Sequence, residues 1–263
     1  MFRRDEKKSL DNDNTSLESQ ELRPFSRNQV IICATHGKLY AVHKKDGSRL
    51  WRQSFPTAVF GGVVSVFVTD DDTVLVGVSG KTACLNLFTG VFKWVNTMKG
   101  FGYEEVGVIA TPSRYLLPQP NDSDHPGAPP SYETTQVEKQ LFFGVSKGKV
   151  LAIDPETGEE VWRYNCPKGG FSIPSLLVEP PNQNSEWSFQ VVYVGCGRRV
   201  YCLRAGSGEV LWANQISNSK MGYGFMTLAT PWSSRLAAEA NTTFSNTPHA
   251  QKREIESQNA TTA

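Results

Sequence analysis

An all-β fold, a small β-propeller of about four blades with four antiparallel strands each, is the class this sequence predicts. Three observations carry it. First, one spaced pattern recurs in register: a small residue, five residues, Gly, three residues, Trp. Its copies are Ala41, Gly47 and Trp51; Cys84, Gly90 and Trp94; Ala152, Gly158 and Trp162; and Cys202, Gly208 and Trp212. Second, each copy lies within three short apolar segments separated by Gly-containing turns. Third, a further apolar segment precedes every copy but the first, and a matching one follows the last. An internal period of this kind identifies a repeat architecture before any local reading begins.

Within the third copy, Leu141 to Val145 reads as a strand, Ser146 to Lys149 as a Gly turn and Val150 to Ile153 as the next strand. Asp154 to Gly158 makes a second turn, and Glu159 to Arg163 opens the last strand. Gly supplies the positive φ such turns need, while Asp and Pro favour the turn before it. The first copy follows suit with Val30 to Cys33, Leu39 to Val42, Asp46-Gly47 and Leu50-Trp51. The second and fourth repeat the turn as Thr89-Gly90 and Ser207-Gly208. The small residue suits a central strand packed on both faces. Each Trp is expected to fill the space between adjacent sheets and give its N–H to a backbone carbonyl. Trp51, Trp94, Trp162 and Trp212, with Gly47, Gly90, Gly158 and Gly208, are therefore read as structural repeat residues.

The preceding fourth strands are Gly62 to Val68, Val106 to Ala110 and Phe171 to Val178. A polar tail stands before the first copy instead. Phe225 to Pro231 follows the last copy, and its Ala229-Thr-Pro231 echoes Ala110-Thr-Pro112. The C-terminal strand is thus expected to join the first blade and close the ring, which removes exposed edges. A monomer closed in this way is the preferred reading. The rival is a half-ring that pairs into eight blades.

Residues 1–27 and 235–263 are polar and are read as disordered tails around a propeller at 28–234. Apolar residues make up 39% of the 263 and charged residues 20%, with a net charge of +1. That balance supplies no global pull toward nucleic acid or an anionic membrane. No apolar run approaches the roughly 20 residues of a membrane span. The N-terminal segment lacks the apolar stretch of a signal peptide, so a cytoplasmic location is expected. Five cysteines without CxxC spacing suggest neither a disulfide framework nor zinc. Cys84 and Cys202 occupy the small-residue position, and Cys33 aligns with Gly77, Gly144 and Gly195. All three are read as small buried hydrophobes. Cys166 and Cys196 have no assigned place.

Gly148 to Asp154, followed by Thr157-Gly158 and Trp162, resembles the repeat of pyrroloquinoline-quinone-type (quinoprotein alcohol dehydrogenase-like) β-propellers. Gly37 to Val42, with Asp46-Gly47 and Trp51, matches nearly as well. The resemblance spans about 29–231 and also extends to the propeller of β-alanine-activating acyl-CoA synthetase family proteins, although no adenylation domain is present. It implies either a cofactor-free scaffold or a quinone-dependent dehydrogenase with calcium. Dehydrogenases of that kind carry adjacent cysteines and a signal peptide, which this sequence lacks. The non-catalytic reading is therefore preferred, with no cofactor, and the alternative is a dehydrogenase using pyrroloquinoline quinone and calcium.

Few motifs suggest chemistry. His36, His43, His125 and His249 form no readable metal or triad spacing. Asp70 to Asp72 lacks the Gly and Glu of an EF-hand loop and reads as a hairpin turn. Gly100-Phe-Gly102 lacks the third Gly of a dinucleotide fingerprint. Arg198-Arg199 replaces a Gly turn and reads as a solvated pair, and Glu104-Glu105 could line one mouth of the channel. The clearest interaction signal is the insertion at 116–139, which holds five prolines and shows no strand pattern. Within it Pro129, Pro130 and Tyr132 make a PPxY sequence. WW domains bind such segments in polyproline II geometry, so a WW-domain partner is expected.

Overall fold

The backbone of the computed structural model is described for residues 24–35, 37–55, 65–103, 105–113, 115–118, 132–135, 138–170, 172–181, 187–218 and 226–230. Seventeen strands in that part form one three-stranded sheet, three four-stranded sheets and a separate hairpin. The first sheet contains β1 (Val30–Thr35), β2 (Lys38–His43) and β3 (Arg49–Ser54). The second contains β4 (Ser65–Val68), β5 (Thr73–Val78), β6 (Lys81–Asn86) and β7 (Phe92–Asn96). In the third, β8 (Gly107–Ala110) is followed in the chain by β9 (Tyr115–Pro118) and β10 (Tyr132–Thr135), which pair only with each other. The sheet resumes with β11 (Phe142–Ser146), β12 (Lys149–Ile153) and β13 (Glu160–Asn165). The fourth contains β14 (Ser175–Glu179), β15 (Val191–Cys196), β16 (Arg199–Arg204) and β17 (Val210–Gln215). All pairing is antiparallel and each sheet is a meander, so these are the blades expected from the sequence.

The register explains the repeated small residue more directly than packing on two faces does. Ala41 pairs with Trp51, Cys84 with Trp94, Ala152 with Trp162 and Cys202 with Trp212. All four small residues are fully buried. The register then shifts by one residue after each of them. A bulge of this kind bends its strand and re-aims the side chain beside it. The turn before the Trp is fixed as well: the amides of Gly47, Gly90, Gly158 and Gly208 donate to the carbonyls of His43, Asn86, Asp154 and Arg204. These glycines have φ of 69° to 74°, a region that L side chains enter only at a cost.

Between the two middle strands of each four-stranded sheet the turn has two residues. Ser79-Gly80 and Lys147-Gly148 have positive φ at both positions, as a type I′ hairpin requires. The fourth sheet reaches the same geometry with the order reversed, Gly197 at φ 58° and Arg198 at φ 66°. Arg198 is therefore a turn residue in left-handed geometry, and its carbonyl accepts the Ile216 amide at 2.9 Å.

Three apolar clusters fill the spaces between sheets. One joins the first and second sheets around Leu39, Trp51, Val76 and Leu85. The next joins the second and third around Leu75, Trp94, Phe101 and Phe142. The last joins the third and fourth around Phe143, Val150, Val194 and Tyr201.

Four expectations need correction. Residues 24–27 belong to the fold: Phe25 packs on Phe88, and Arg27 donates to Asp72 Oδ1 at 2.8 Å and to the carbonyls of Asp70 and Thr69. Cys33 is exposed, because nothing described covers that face of β1. The insertion contains paired strands, β9 and β10, where the Pro-rich composition suggested none. Trp212 is not packed away like its counterparts and is 40% exposed. The readings of 1–23 and 231–263 lie outside the described residues.

Candidate functional site

The repeat residues build one device three times, at each boundary between successive sheets. The indole N–H of Trp51 donates to the carbonyl of Leu87 at 2.9 Å. Trp94 donates to Pro155 at 2.7 Å and Trp162 to Ala205 at 2.8 Å. Every acceptor stands three residues before the repeat Gly of the next sheet. The ring also lies on that Gly: a Cβ placed on Gly90, Gly158 or Gly208 would come within 2.4 to 2.7 Å of Trp51, Trp94 or Trp162. Glycine is thus required twice at these positions, for its φ and for the space. Each Trp is a knob and each following turn its hole, closed by a hydrogen bond that is buried for Trp51 and Trp94 and partly buried for Trp162.

The device leaves one knob and one hole over. Trp212 stacks on Tyr193 of its own sheet, with ring centroids 6.0 Å apart, and no described carbonyl accepts its indole N–H. Gly47, which belongs to the corresponding turn of the first sheet, would meet nothing within 4 Å. Ile31 on β1 is 49% exposed and Ile216 after β17 is 61% exposed. The two ends of the array therefore carry opposite halves of the same contact.

The last described segment, 226–230, is in no strand. Its place is nonetheless informative. Ser175 on β14 donates to the carbonyl of Met226, as Ser65 on β4 donates to that of Val106. A Cβ on Gly195 would strike Met226, as one on Gly77 would strike Val106 and Val108. Met226 thus holds, against the fourth sheet, the position that the inner strand of the third sheet holds against the second. No pairing between this segment and β1 occurs among the described residues.

The other residues singled out in the sequence are dispersed. Tyr132 begins β10 opposite Pro118, whereas Pro129 and Pro130 lie outside the described residues. Asp70 to Asp72 form the turn between β4 and β5; Asp70 accepts the Ser113 amide, and Asp72 is the Arg27 partner. Gly100 and Gly102 flank the buried Phe101 in a turn, with Lys149 and Arg163 over its ring at 5.7 and 5.5 Å. Arg199 donates to Gln215 at 3.2 Å. Among the described residues no group of three His, Cys, Asp or Glu could hold a metal ion. No helix there is long and apolar enough to cross a membrane.

Sequence reasoning left Cys166 and Cys196 unplaced; both are buried in the cluster between the third and fourth sheets. The Cys166 thiol is pushed up by its hydrogen bond to Cys196 and by burial. Burial first, with smaller help from nearby carboxylates, pushes Cys84 and Cys202 up to about 11. Tyr201 is likewise raised to about 12 by burial, and its hydroxyl donates to the Pro167 carbonyl at 3.2 Å. The hydrogen bond with Cys166 holds the Cys196 thiol below its ordinary value against the effect of burial, but Cys196 is buried between the sheets, away from any solvent-borne partner.

The comparison with protein families agrees with this architecture. The family model described as outer membrane protein assembly factor BamB matches residues 35–221. No curated protein matches the sequence. Among solved structures, BamB from Moraxella catarrhalis is similar at 16% identity and a TM-score of 0.43, covering 71% of this chain and 46% of that one. The computationally designed Ika8 protein is similar at 13% identity and a TM-score of 0.46, covering 74% and 49%. A europium-containing methanol dehydrogenase is similar at 15% identity and a TM-score of 0.47, covering 72% and 40%. The chain thus spans about half the length of these structures or less. With the blade repeat, the interlock and the family match taken together, the chain belongs to the pyrroloquinoline-quinone-type propeller family described as outer membrane protein assembly factor BamB.

Proposed function

We propose that this chain is a non-catalytic propeller scaffold, and that the insertion between its third-sheet strands is its docking element for a WW-domain protein. The observation that carries the reading is the hairpin β9–β10. It pairs with none of the four sheets, and Tyr132 of the PPxY sequence opens its second strand opposite Pro118. A motif whose Tyr132 already stands in extended backbone loses less entropy at that residue on docking into a WW groove. Insertions of this length in a compact fold are commonly functional. A cytoplasmic location goes with this reading, because five cysteines stand free, including the neighbouring Cys166 and Cys196.

The test is a pull-down of the whole chain by isolated WW domains, with Tyr132→Ala as control. Capture by wild type and loss with the variant support the reading; equal capture of both, or none, overturns it. The family resemblance keeps a quinone-dependent enzyme as the contrasting outcome. Pyrroloquinoline quinone with calcium should leave the melting temperature unchanged, and a clear rise would replace the scaffold reading with the enzyme one.

A further inference from the structure

We infer that the two ends of the four-sheet array are a matched pair of docking surfaces, and that each is occupied by the opposite end of a second copy of this chain. The inference goes beyond the WW-domain reading and does not depend on it. It rests on the interlock that the chain builds three times within itself. At each internal boundary a Trp covers the repeat Gly of the next sheet and donates to the carbonyl three residues before that Gly. At the outer face of the fourth sheet the Trp is present, half exposed and without that acceptor. At the outer face of the first sheet the uncovered Gly is Gly47, and the carbonyl three residues before it belongs to Lys44.

The inner strands complete the match. Among the described residues the first sheet has three strands where the others have four. Met226 already stands against Ser175 and Gly195, where the inner strand of a following sheet would run. The first sheet of another copy, placed there, would gain its fourth strand from 226–230 and its Trp cover from Trp212. Knob, hole, the absent inner strand and the segment 226–230 thus all belong to one junction. Among the described residues of one chain that junction is unmade, with Trp212, Ile31 and the space over Gly47 open together. A contact between unlike ends makes a closed assembly only if the rotation closes; two copies joined at both junctions make a ring of eight sheets with no sheet end left over.

Sedimentation velocity and light scattering on the whole chain at low micromolar concentration test this. The expected mass is twice the 29.1 kDa of one chain. Trp212→Ala removes the knob from both junctions and should weaken the dimer roughly 1000-fold, since a buried Trp anchor is commonly worth a factor of about 30 per junction. Gly47→Asn fills the hole with a residue that tolerates the same φ, and should also yield monomer. Mixing these two variants restores one junction with wild-type residues on both sides, so dimer should return in the mixture. Far-ultraviolet dichroism and melting of each variant show whether the blades remain folded. A wild-type monomer overturns the inference in favour of closure within one chain. A dimer indifferent to both substitutions, or variants that fail to complement while still folded, overturns it as well.

Discussion

A glycine that must be glycine for two reasons can be told from one that needs only its φ. Gly158 has φ 74° and the Trp94 ring against its α-carbon, whereas Gly170 has φ 55° and open space. Gly170→Ala should therefore cost only the left-handed strain, roughly 1–2 kcal/mol. Gly158→Ala should cost about 1–3 kcal/mol more, because the turn or the Trp94 ring must shift. Urea unfolding of both variants compares them, and equal losses would remove the knob-and-hole account. The thiols give a second prediction at this scale. Only Cys33 is exposed, and burial raises the thiols of Cys84 and Cys202. A thiol reagent at pH 8 should reach at most Cys33 before unfolding, quickly where the outer face of the first sheet is free and slowly where a second copy covers it, and all five cysteines only after unfolding. Rapid modification of two or more would mean that the clusters between sheets open readily.

At the scale of one element, the turn from β12 to β13 is held by Asp154. Its carboxylate accepts the amides of Glu156 and Thr157 and pairs with Lys139 from the segment before β11. The Lys139 hydrogen bond, followed by the two amides, holds its pKa below the ordinary carboxylate value against a modest burial effect. A carboxyl lowered in the folded state stabilises it above the unfolded pKa, near 4, and that contribution fades as pH falls through the lowered value. Lys139→Met should move the Asp154 titration upward toward pH 4 and leave the Glu160 titration, which Arg163 lowers, in place. Carboxyl chemical shifts followed from pH 2 to 6 would show this. A stationary Asp154 would mean that the backbone amides alone set its value.

For the whole molecule, the segment 226–230 has a share in stability although it is in no strand. Met226 packs on Gly195 and accepts from Ser175. Ending the chain before Met221 should therefore lower the melting temperature and open the face of β14 and β15 to solvent. It should also abolish the two-copy ring. An unchanged melting curve would show that this segment belongs neither to the fourth sheet nor to any junction.

Much of this architecture was legible in the order of residues alone. The Trp–Gly–small-residue frame, the Gly turns, the apolar strands and the three-strand first sheet all depend on neighbours within about fifteen positions, and short-range rules read them directly. Even the Trp N–H to carbonyl bond followed from the chemistry of a buried indole. Other features needed contacts between distant parts of the chain. Trp212 and Trp94 have the same local frame, yet one is buried and the other open, because burial depends on whether a further sheet stands in front. Cys33 is exposed for the same reason. Arg27 looked like part of a tail until the turn at Asp70 to Asp72 came beside it. The swap of Gly197 and Arg198, and the pairing of Tyr132 with Pro118 across a Pro-rich insertion, were likewise settled by the sheet and the hairpin around them. Sequence by itself determined the repeating unit, because each unit is built from local turns and pairings. Only the tertiary structure decided which copies of the unit are mated and which are left open, because mating is a property of the space between sheets.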